Sequence, residues 1–326
     1  MVLNRLGRLS CTCLILAAAT MYRADAADAP RPELQIQPAE HLPGAGTSMM
    51  LAATRAGKRI VAVGDHGVVL LSDDAGKSFR QANSVPVGST LTGVSFADPN
   101  TGWAVGQWGV IIKTKDGGEN WSLQRSDINV DQPLFSVYFR NPNEGWAVGL
   151  WSLILHTTDG GATWSTVTLQ PPPGAKKADR NLYRIFADAR GTLFIACEQG
   201  RVIRSDDGGN SWTYLETGYS GSFWSGIALQ DGTLLVGGLR GTIYRSIDGG
   251  KMWNASQSTF KSSITDMLQL PDKSIIAVGL DGVSLISRDD GATFSGNQRS
   301  DRVPFTALAE SPSGSTVMFS TNGPIS

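Results

Sequence analysis

One short pattern recurs six times along this chain, at intervals of roughly forty residues. Each copy reads Ser or Thr, any residue, Asp, any residue, Gly, two further residues and an aromatic residue. The six Asp residues are Asp74, Asp116, Asp159, Asp207, Asp248 and Asp289. Successive Asp residues stand 42, 43, 48, 41 and 41 positions apart, which suits one four-stranded sheet per period and is too long for an array of hairpins. The repeat therefore predicts an all-β chain folded as a β-propeller.

A second signal precedes each copy by ten or eleven residues, where an apolar run ends in Val-Gly or its equivalent, as at Val63-Gly64 and Val278-Gly279. Alternating stretches such as 59–63 and 242–246 favour strands, and no segment after residue 30 has a sustained helical period. Each blade is therefore expected to contain an inner strand, a second strand ending in Val-Gly, a third strand and a fourth strand. The recurring pattern, called the Asp-box below, falls on the turn between the third and fourth strands.

The Asp-box has the composition of a self-bonded turn. Its hydroxyl and carboxylate can accept hydrogen bonds from turn amides, its Gly tolerates positive φ, and its aromatic residue can pack between sheets. We therefore predict a structural role for the six Asp residues.

A seventh, partial period follows the sixth Asp-box. Residues 303–310 and 315–320 favour two strands, and the turn Thr321-Asn322-Gly323 follows without a box of its own. Because a propeller must pair the free edges of its ring, we predict seven blades closed by an N-terminal strand at residues 33–37, where polar and apolar residues alternate.

Residues 1–26 have the features of a secretory signal peptide. Arg5 and Arg8 precede the apolar run 13–19, and Ala24-Asp25-Ala26 offers small residues for cleavage. The run is short for a membrane span, so we expect cleavage and export, to the periplasm if the source is Gram-negative; a retained anchor is the alternative. The predicted domains are thus a signal peptide at 1–26, an N-terminal segment with the closing strand at 27–45 and a propeller at 46–326.

Composition argues against several classes of partner. The net charge of −1 gives no reason to expect nucleic acid or an acidic membrane surface. The histidines, His41, His66 and His156, are scattered, so neither a metal site nor a cofactor is expected. Cys197, which remains after signal removal, is expected to be a buried thiol. The mature chain is expected to be a monomer without an integral membrane segment.

The turns between second and third strands share one face of a propeller with the loops that join blades, and ligands are usually bound on that face. Trp108 and Trp151 lie on two of these turns in adjacent blades, where an indole has little core to fill. We predict that they bind a protein partner; the alternative is that they cap the packing between blades. The other predicted partner-binding residues are Tyr183, Arg184, Glu198, Trp224, Arg240 and Asp281.

The 48-residue spacing reflects an insertion at 170–177, which is rich in proline and carries two lysines. It lies beside Trp151 on the same face. Two interpretations stay open: an interaction loop or a tolerated surface insertion.

The motifs also resemble a known family. The run Val105-Gly106-Gln107-Trp108-Gly109-Val110-Ile111, followed by the box 114–121, is similar to the repeat of the photosystem II stability/assembly factors of plants and cyanobacteria and their bacterial relatives. The resemblance covers residues 46–326. It implies a seven-bladed propeller that binds protein partners during assembly of membrane complexes, without catalysis. Some bacterial relatives are associated with resistance-nodulation-division transporters. Because this chain lacks the lipoprotein cysteine of the cyanobacterial members, we expect a non-photosynthetic bacterial relative.

Glycosidases such as sialidases carry the same box, and a glycoside hydrolase is the alternative function. Such an enzyme needs arginines for the substrate carboxylate together with a Tyr/Glu pair, or two carboxylates. Tyr183, Arg184, Glu198 and Arg240 are the available residues, but the Arg-Ile-Pro signature of sialidases is absent. We therefore predict a non-catalytic exported protein whose partner is a membrane-associated protein.

Overall fold

The computed structural model describes residues 35–325 and consists of seven antiparallel sheets, one per blade. The strands of the first four blades are β1–β4 (Met50–Ala56, Arg59–Gly64, Val69–Ser72, Arg80–Gln81), β5–β8 (Leu91–Phe96, Gly102–Gly106, Ile111–Thr114, Trp121–Arg125), β9–β12 (Leu134–Phe139, Gly145–Gly149, Ile154–Thr157, Ser165–Thr166) and β13–β16 (Leu182–Ala187, Leu193–Cys197, Arg201–Ser205, Thr213–Glu216).

The last three blades complete the ring. Their strands are β17–β20 (Phe223–Ala228, Leu234–Gly238, Ile243–Ser246, Asn254–Ala255), β22–β25 (Ile264–Gln269, Ile275–Gly279, Val283–Ser287, Thr293–Gln298), with β21 (Gln257–Ser258) added in parallel to β25, and β26–β28 (Phe305–Glu310, Thr316–Ser320, Gly323–Ile325). Each inner strand packs beside the inner strand of the next blade, and β26 packs beside β1. The predicted seven-bladed all-β propeller is confirmed. Between residues 35 and 325, no helix is long and apolar enough to span a bilayer.

The core lies between neighbouring blades. The second strand of a blade is covered on both sides, and every residue of Gly102–Gly106 is buried. Aromatic rings fill the space between blades 2 and 3, where Trp103 stacks on Phe139 and the ring of Trp164 meets Phe139 edge-on at 5.9 Å between centroids. Because apolar packing joins each blade to its two neighbours, the ring holds several separate apolar clusters.

The N-terminal segment differs from the predicted closing strand. Of residues 33–37, Glu33 and Leu34 lie outside the described residues, and 35–37 form no strand. Ile36 and Ala39 instead pack against the core of blades 1 and 2, and the Ala39 amide donates to the Val85 carbonyl at 3.0 Å. Pro38 has no N–H to contribute to a sheet ladder. The alternation that suggested a strand thus comes from apolar side chains that cover blades 1 and 2.

Blade 7 has three strands among the described residues. The short turn Ala45–Thr47 lies against β28 before the chain enters β1. The predicted signal peptide, 1–26, lies outside the described residues.

Candidate partner-binding face

The two faces of the ring are set by the strand order. Amides at the turns between second and third strands donate to carbonyls just before the inner strands, as from Leu150 to Pro133 at 3.0 Å and from Leu239 to Ser222 at 3.1 Å. These turns, the strand starts and the connections between blades therefore form one face, called the mouth face below. The Asp-boxes lie on the opposite face, the box face.

On the box face, each Asp side chain is bonded within its own turn. In blade 3, the Thr157 hydroxyl donates to Asp159 at 2.8 Å, and the amide and hydroxyl of Thr163 donate to the same carboxylate at 2.9 and 2.6 Å. The Thr163 hydroxyl is the main reason that the pKa of Asp159 falls to about 2. The boxes of blades 1, 4 and 6 repeat these bonds and lower the pKa of Asp74, Asp207 and Asp289 to about 2.

Asp116 and Asp248 complete the set. Asn120 donates its amide and side chain to Asp116, and the amides of Lys251 and Met252 donate to Asp248. The box glycines have φ between 83° and 92°, which a side chain would strain. The geometry of all six boxes is that of a turn that satisfies its own polar groups.

On the mouth face, six turns present a non-glycine residue in the left-handed conformation. Their φ values lie between 52° and 60°, at His66, Trp108, Trp151, Gln199, Arg240 and Asp281. Glycine or asparagine would adopt this conformation with less strain. The ring therefore keeps different, chemically distinct side chains at one strained position, which is typical of functional surfaces.

The two tryptophans at these turns differ in exposure. The Trp151 side chain is 56% exposed, as expected of a contact residue. Trp108 is half-buried, and its indole packs against the core of blades 1 and 2.

A β-bulge marks the second residue of every inner strand. In blade 2, Leu91 pairs with Gly106 and Gly93 with Val105, which leaves Thr92 without a partner in the ladder. The same irregularity occurs in the other six blades. Bulges redirect side chains and are common at functional sites. The seven bulge residues, called the mouth ring below, are all partly exposed: Leu51, Thr92, Phe135, Tyr183, Trp224, Thr265 and Thr306.

The mouth ring has an aromatic side and a threonine side. Phe135 and Tyr183 of adjacent blades stack with 5.6 Å between ring centroids, and Trp224 occupies the same position in the next blade. On the other side, the hydroxyls of Thr92 and Thr265 donate to carbonyls of the following blades at 2.6 and 2.9 Å. The sequence analysis named Tyr183 and Trp224 as candidates, but the bulge that unites the seven positions left no sequence signal.

Arg184 follows the bulge in blade 4 and lines a cavity of about 300 Å³ in the central channel. Its guanidinium lies 3.7 Å from the carboxylate of Asp266, two blades away. Burial raises the pKa of Asp266, which also accepts a hydrogen bond from the Leu308 amide at 2.9 Å. Arg184 is thus paired with Asp266. No sequence pattern points to Asp266, because its partner is distant along the chain.

The remaining predicted residues are spread around the mouth face. Glu198 accepts a hydrogen bond from the Asn181 amide at 3.1 Å. Arg240 is exposed, and its amide donates to the Ser263 hydroxyl at 3.2 Å. Asp281 accepts from the Ser262 hydroxyl at 2.9 Å. Within the part of the chain that the structure describes, no three His, Cys, Asp or Glu residues form a metal-binding group.

Comparison with known proteins agrees with this architecture. The family model of the photosynthesis system II assembly factor YCF48 matches residues 81–235. The matched residues are somewhat less than half of the chain, so this finding shows a similarity of the β-propeller to that family. No curated protein matches its sequence significantly.

Solved structures similar to this propeller include YCF48 bound to a D1 peptide, with 19% identity, a TM-score of 0.69 and coverage of 88% of this chain and 94% of that one. YCF48 from Cyanidioschyzon merolae has 18% identity, a TM-score of 0.68 and coverage of 87% and 95%. The extracellular domain of a one-component system from B. thetaiotaomicron has 10% identity and a TM-score of 0.66, over 88% of this chain and 39% of that one. At these identities the likeness shows the shared fold.

Proposed function

We propose that this protein is an exported, non-catalytic propeller that binds an extended segment of a protein partner on its mouth face. The observation that carries the proposal is the concentration of aromatic side chains on one side of that face. Phe135, Tyr183 and Trp224 occupy three consecutive bulges, and Trp151 is exposed at a neighbouring turn. Rigid aromatic residues supply much of the energy of protein recognition.

Two further lines of support concern the biological setting. A similar propeller, YCF48, has been solved with a D1 peptide bound, so peptide binding is an activity that this fold can carry. Residues 1–26 have the composition of a signal peptide. We propose a role as an assembly or accessory factor for a membrane complex, with a resistance-nodulation-division transporter as one candidate complex.

The residues considered for a glycoside hydrolase have other contacts. Arg184 is paired with Asp266 in the channel, and Tyr183 stacks on Phe135. Glu198 bonds a backbone amide, and Arg240 stands at a turn. These contacts support a binding role for the face.

The proposal is tested by pull-down of the full chain from the native envelope, with mass spectrometry of what is recovered. The double variant Trp108→Ala/Trp151→Ala should lose the recovered partner, because loss of one aromatic anchor typically costs about 2 kcal/mol of binding. Circular dichroism reports whether the variant stays folded. Undiminished recovery of the same partner by the folded double variant would contradict the assignment.

A further inference from the structure

The third residue of the turn between second and third strands is glycine in six blades and serine in one. All seven have positive φ: Gly67, Gly109, Ser152, Gly200, Gly241, Gly282 and Gly323. Ser152 directly follows Trp151, the exposed indole. The one turn without glycine at its third position is therefore the turn that carries the most exposed aromatic residue of the mouth face.

In three of the other turns, glycine is required because the connection to the next blade lies directly against it. A Cβ atom placed on Gly67, Gly200 or Gly241 would lie 1.9, 1.7 or 2.3 Å from a carbonyl oxygen of that connection. Such approaches leave no room for a side chain. Close backbone contact is thus what fixes these turns.

Blade 3 fixes its turn by side-chain hydrogen bonds instead. The connection to blade 4, residues 167–181, contains the insertion, and it leaves room for the Ser152 side chain. The Ser152 amide donates to the Arg180 carbonyl at 2.6 Å, and the Arg180 amide donates to the Ser152 hydroxyl at 3.0 Å. Ser152 itself is buried.

Asn181 holds the adjacent tryptophan. The Trp151 amide donates to the Asn181 side-chain oxygen at 3.2 Å. The Asn181 amide donates to the Glu198 carboxylate at 3.1 Å, and the Glu198 amide donates to the Asn181 carbonyl at 3.2 Å. The backbone of Trp151 is therefore tied to blade 4 through one asparagine whose own position is fixed by two further bonds.

The long connection is itself anchored in the core. Leu169 is buried, and Val167 and Ala178 pack against the same cluster between blades 3 and 4. Lys176 and Lys177 remain exposed. An insertion with buried apolar anchors can supply a rigid support, which an unattached surface loop cannot.

We propose that the connection 167–181 is a support that positions Trp151 for partner binding, with Ser152 and Asn181 as positioning residues. They hold the turn in its left-handed conformation while the indole stays in solvent, so that little ordering is required when the partner's extended segment binds. This inference rests on the proposed function of the mouth face and assigns the insertion its role there.

The test uses the full chain labelled with 5-fluorotryptophan, with the Trp151 resonance in the ¹⁹F NMR spectrum assigned by Trp151→Phe. Asn181→Leu removes the side-chain oxygen that accepts from the Trp151 amide and should shift or broaden the Trp151 resonance. Asn181→Asp keeps an accepting oxygen and should give the wild-type resonance. Ser263→Ala is the matched control, because it removes the equivalent acceptor for Arg240. Asn181→Leu should also weaken binding of the partner protein recovered from the envelope by about tenfold.

An unchanged Trp151 resonance in folded Asn181→Leu, or an equal change in Ser263→Ala, would overturn the inference. Ser152→Gly provides a second variant that keeps the backbone conformation and removes the hydroxyl. If Trp151→Ala leaves partner binding intact, the proposed binding site is wrong. The ¹⁹F resonance of Trp151, recorded without the partner protein, still decides whether Asn181 positions the indole. A changed resonance with full affinity in Asn181→Leu would refute the role of positioning in binding.

Discussion

The box face and the mouth face of this ring are built from the same repeat but differ in what the repeat holds constant. On the box face, the side chains recur and form the same bonds in blade after blade, as around Asp74, Asp159, Asp207 and Asp289. On the mouth face, the backbone recurs, with a bulge in every inner strand and a left-handed turn, while the side chains differ. The repeated side chains hold the turns of the box face, whereas the varied side chains on a repeated backbone support the binding role that we propose for the mouth face.

The largest expected effect separates the aromatic and threonine sides of the mouth ring. Tyr183→Ala/Trp224→Ala should weaken partner binding by at least about 30-fold, because aromatic anchors dominate interface energies. Thr92→Ala/Thr265→Ala should leave affinity within about threefold, since these hydroxyls are engaged by carbonyls of neighbouring blades. Affinity for the recovered partner is measured by calorimetry and stability by thermal melting.

The threonine variant is the matched control, because it changes two bulge residues on the same face. Thermal melting of both variants separates loss of affinity from loss of stability, because the threonine variant loses two hydrogen bonds between blades and the aromatic variant loses the Phe135–Tyr183 stack. Equal losses of affinity in the two variants would contradict the proposal that the aromatic side of the mouth ring binds the partner and the threonine side does not.

The contrast between faces also explains what the sequence could predict. The Asp-boxes were predictable residue by residue, because their bonds lie within five residues and impose a fixed pattern on the chain. The number of blades followed from the period of the pattern. The turn positions of Trp108 and Trp151 followed as well, because each lies at a fixed distance from its box.

Features that depend on distant residues were not predictable. The pairing of Arg184 with Asp266 spans two blades, and the support of Trp151 by Asn181 depends on a connection whose path the sequence does not specify. The alternation that suggested a closing strand at 33–37 was misleading over residues 35–37. An apolar residue at every second or third position also suits an extended segment that covers two blades, as Ile36 and Ala39 do.

A smaller effect, on folding stability, is expected when the pH is lowered, because the carboxylates of the box face become protonated. The pKa of Asp159 and Asp207 lies at about 2 in the folded protein, below the ordinary value of 3.8. Their stabilising contribution is therefore complete above about pH 4 and is lost as pH falls through 2. The side chains at these two positions cannot titrate in Asp159→Asn/Asp207→Asn. The wild type should melt several degrees higher than this variant at pH 7, and the difference in melting temperature should narrow towards pH 2.

The wild type must be compared with this variant because the titration of Asp266 changes folding stability with pH in the opposite direction. Burial raises its pKa, so it favours folding at low pH, equally in wild type and variant. A gap in melting temperature that stays constant from pH 7 to pH 2 would contradict the ionised role of the box carboxylates. Partner binding at pH 7 should be the same in both proteins, since the boxes lie on the opposite face.

The smallest effect concerns the one box that departs from the common pattern. The residue before the aromatic donates a side-chain hydrogen bond to the Asp carboxylate in the other five boxes, at 2.6–2.9 Å, from Ser78, Asn120, Thr163, Ser211 and Thr293. Blade 5 has Met252 there, with a 69% exposed side chain that cannot donate. Asp248 therefore receives only backbone amides and the Ser246 hydroxyl.

Met252→Thr should supply the absent bond and raise the melting temperature by about 1–2 °C. Little packing is lost, because the methionine side chain lies mostly in solvent. Met252→Ala removes the same apolar surface without adding a donor, so it is the matched control and should not gain stability. If the threonine and alanine variants melt together, the side-chain bond to the carboxylate adds nothing to a box, and the uniformity of the box face would need another cause. Both variants should bind the partner as tightly as the wild type. This result would show that a substitution on the box face can raise stability without changing binding on the mouth face.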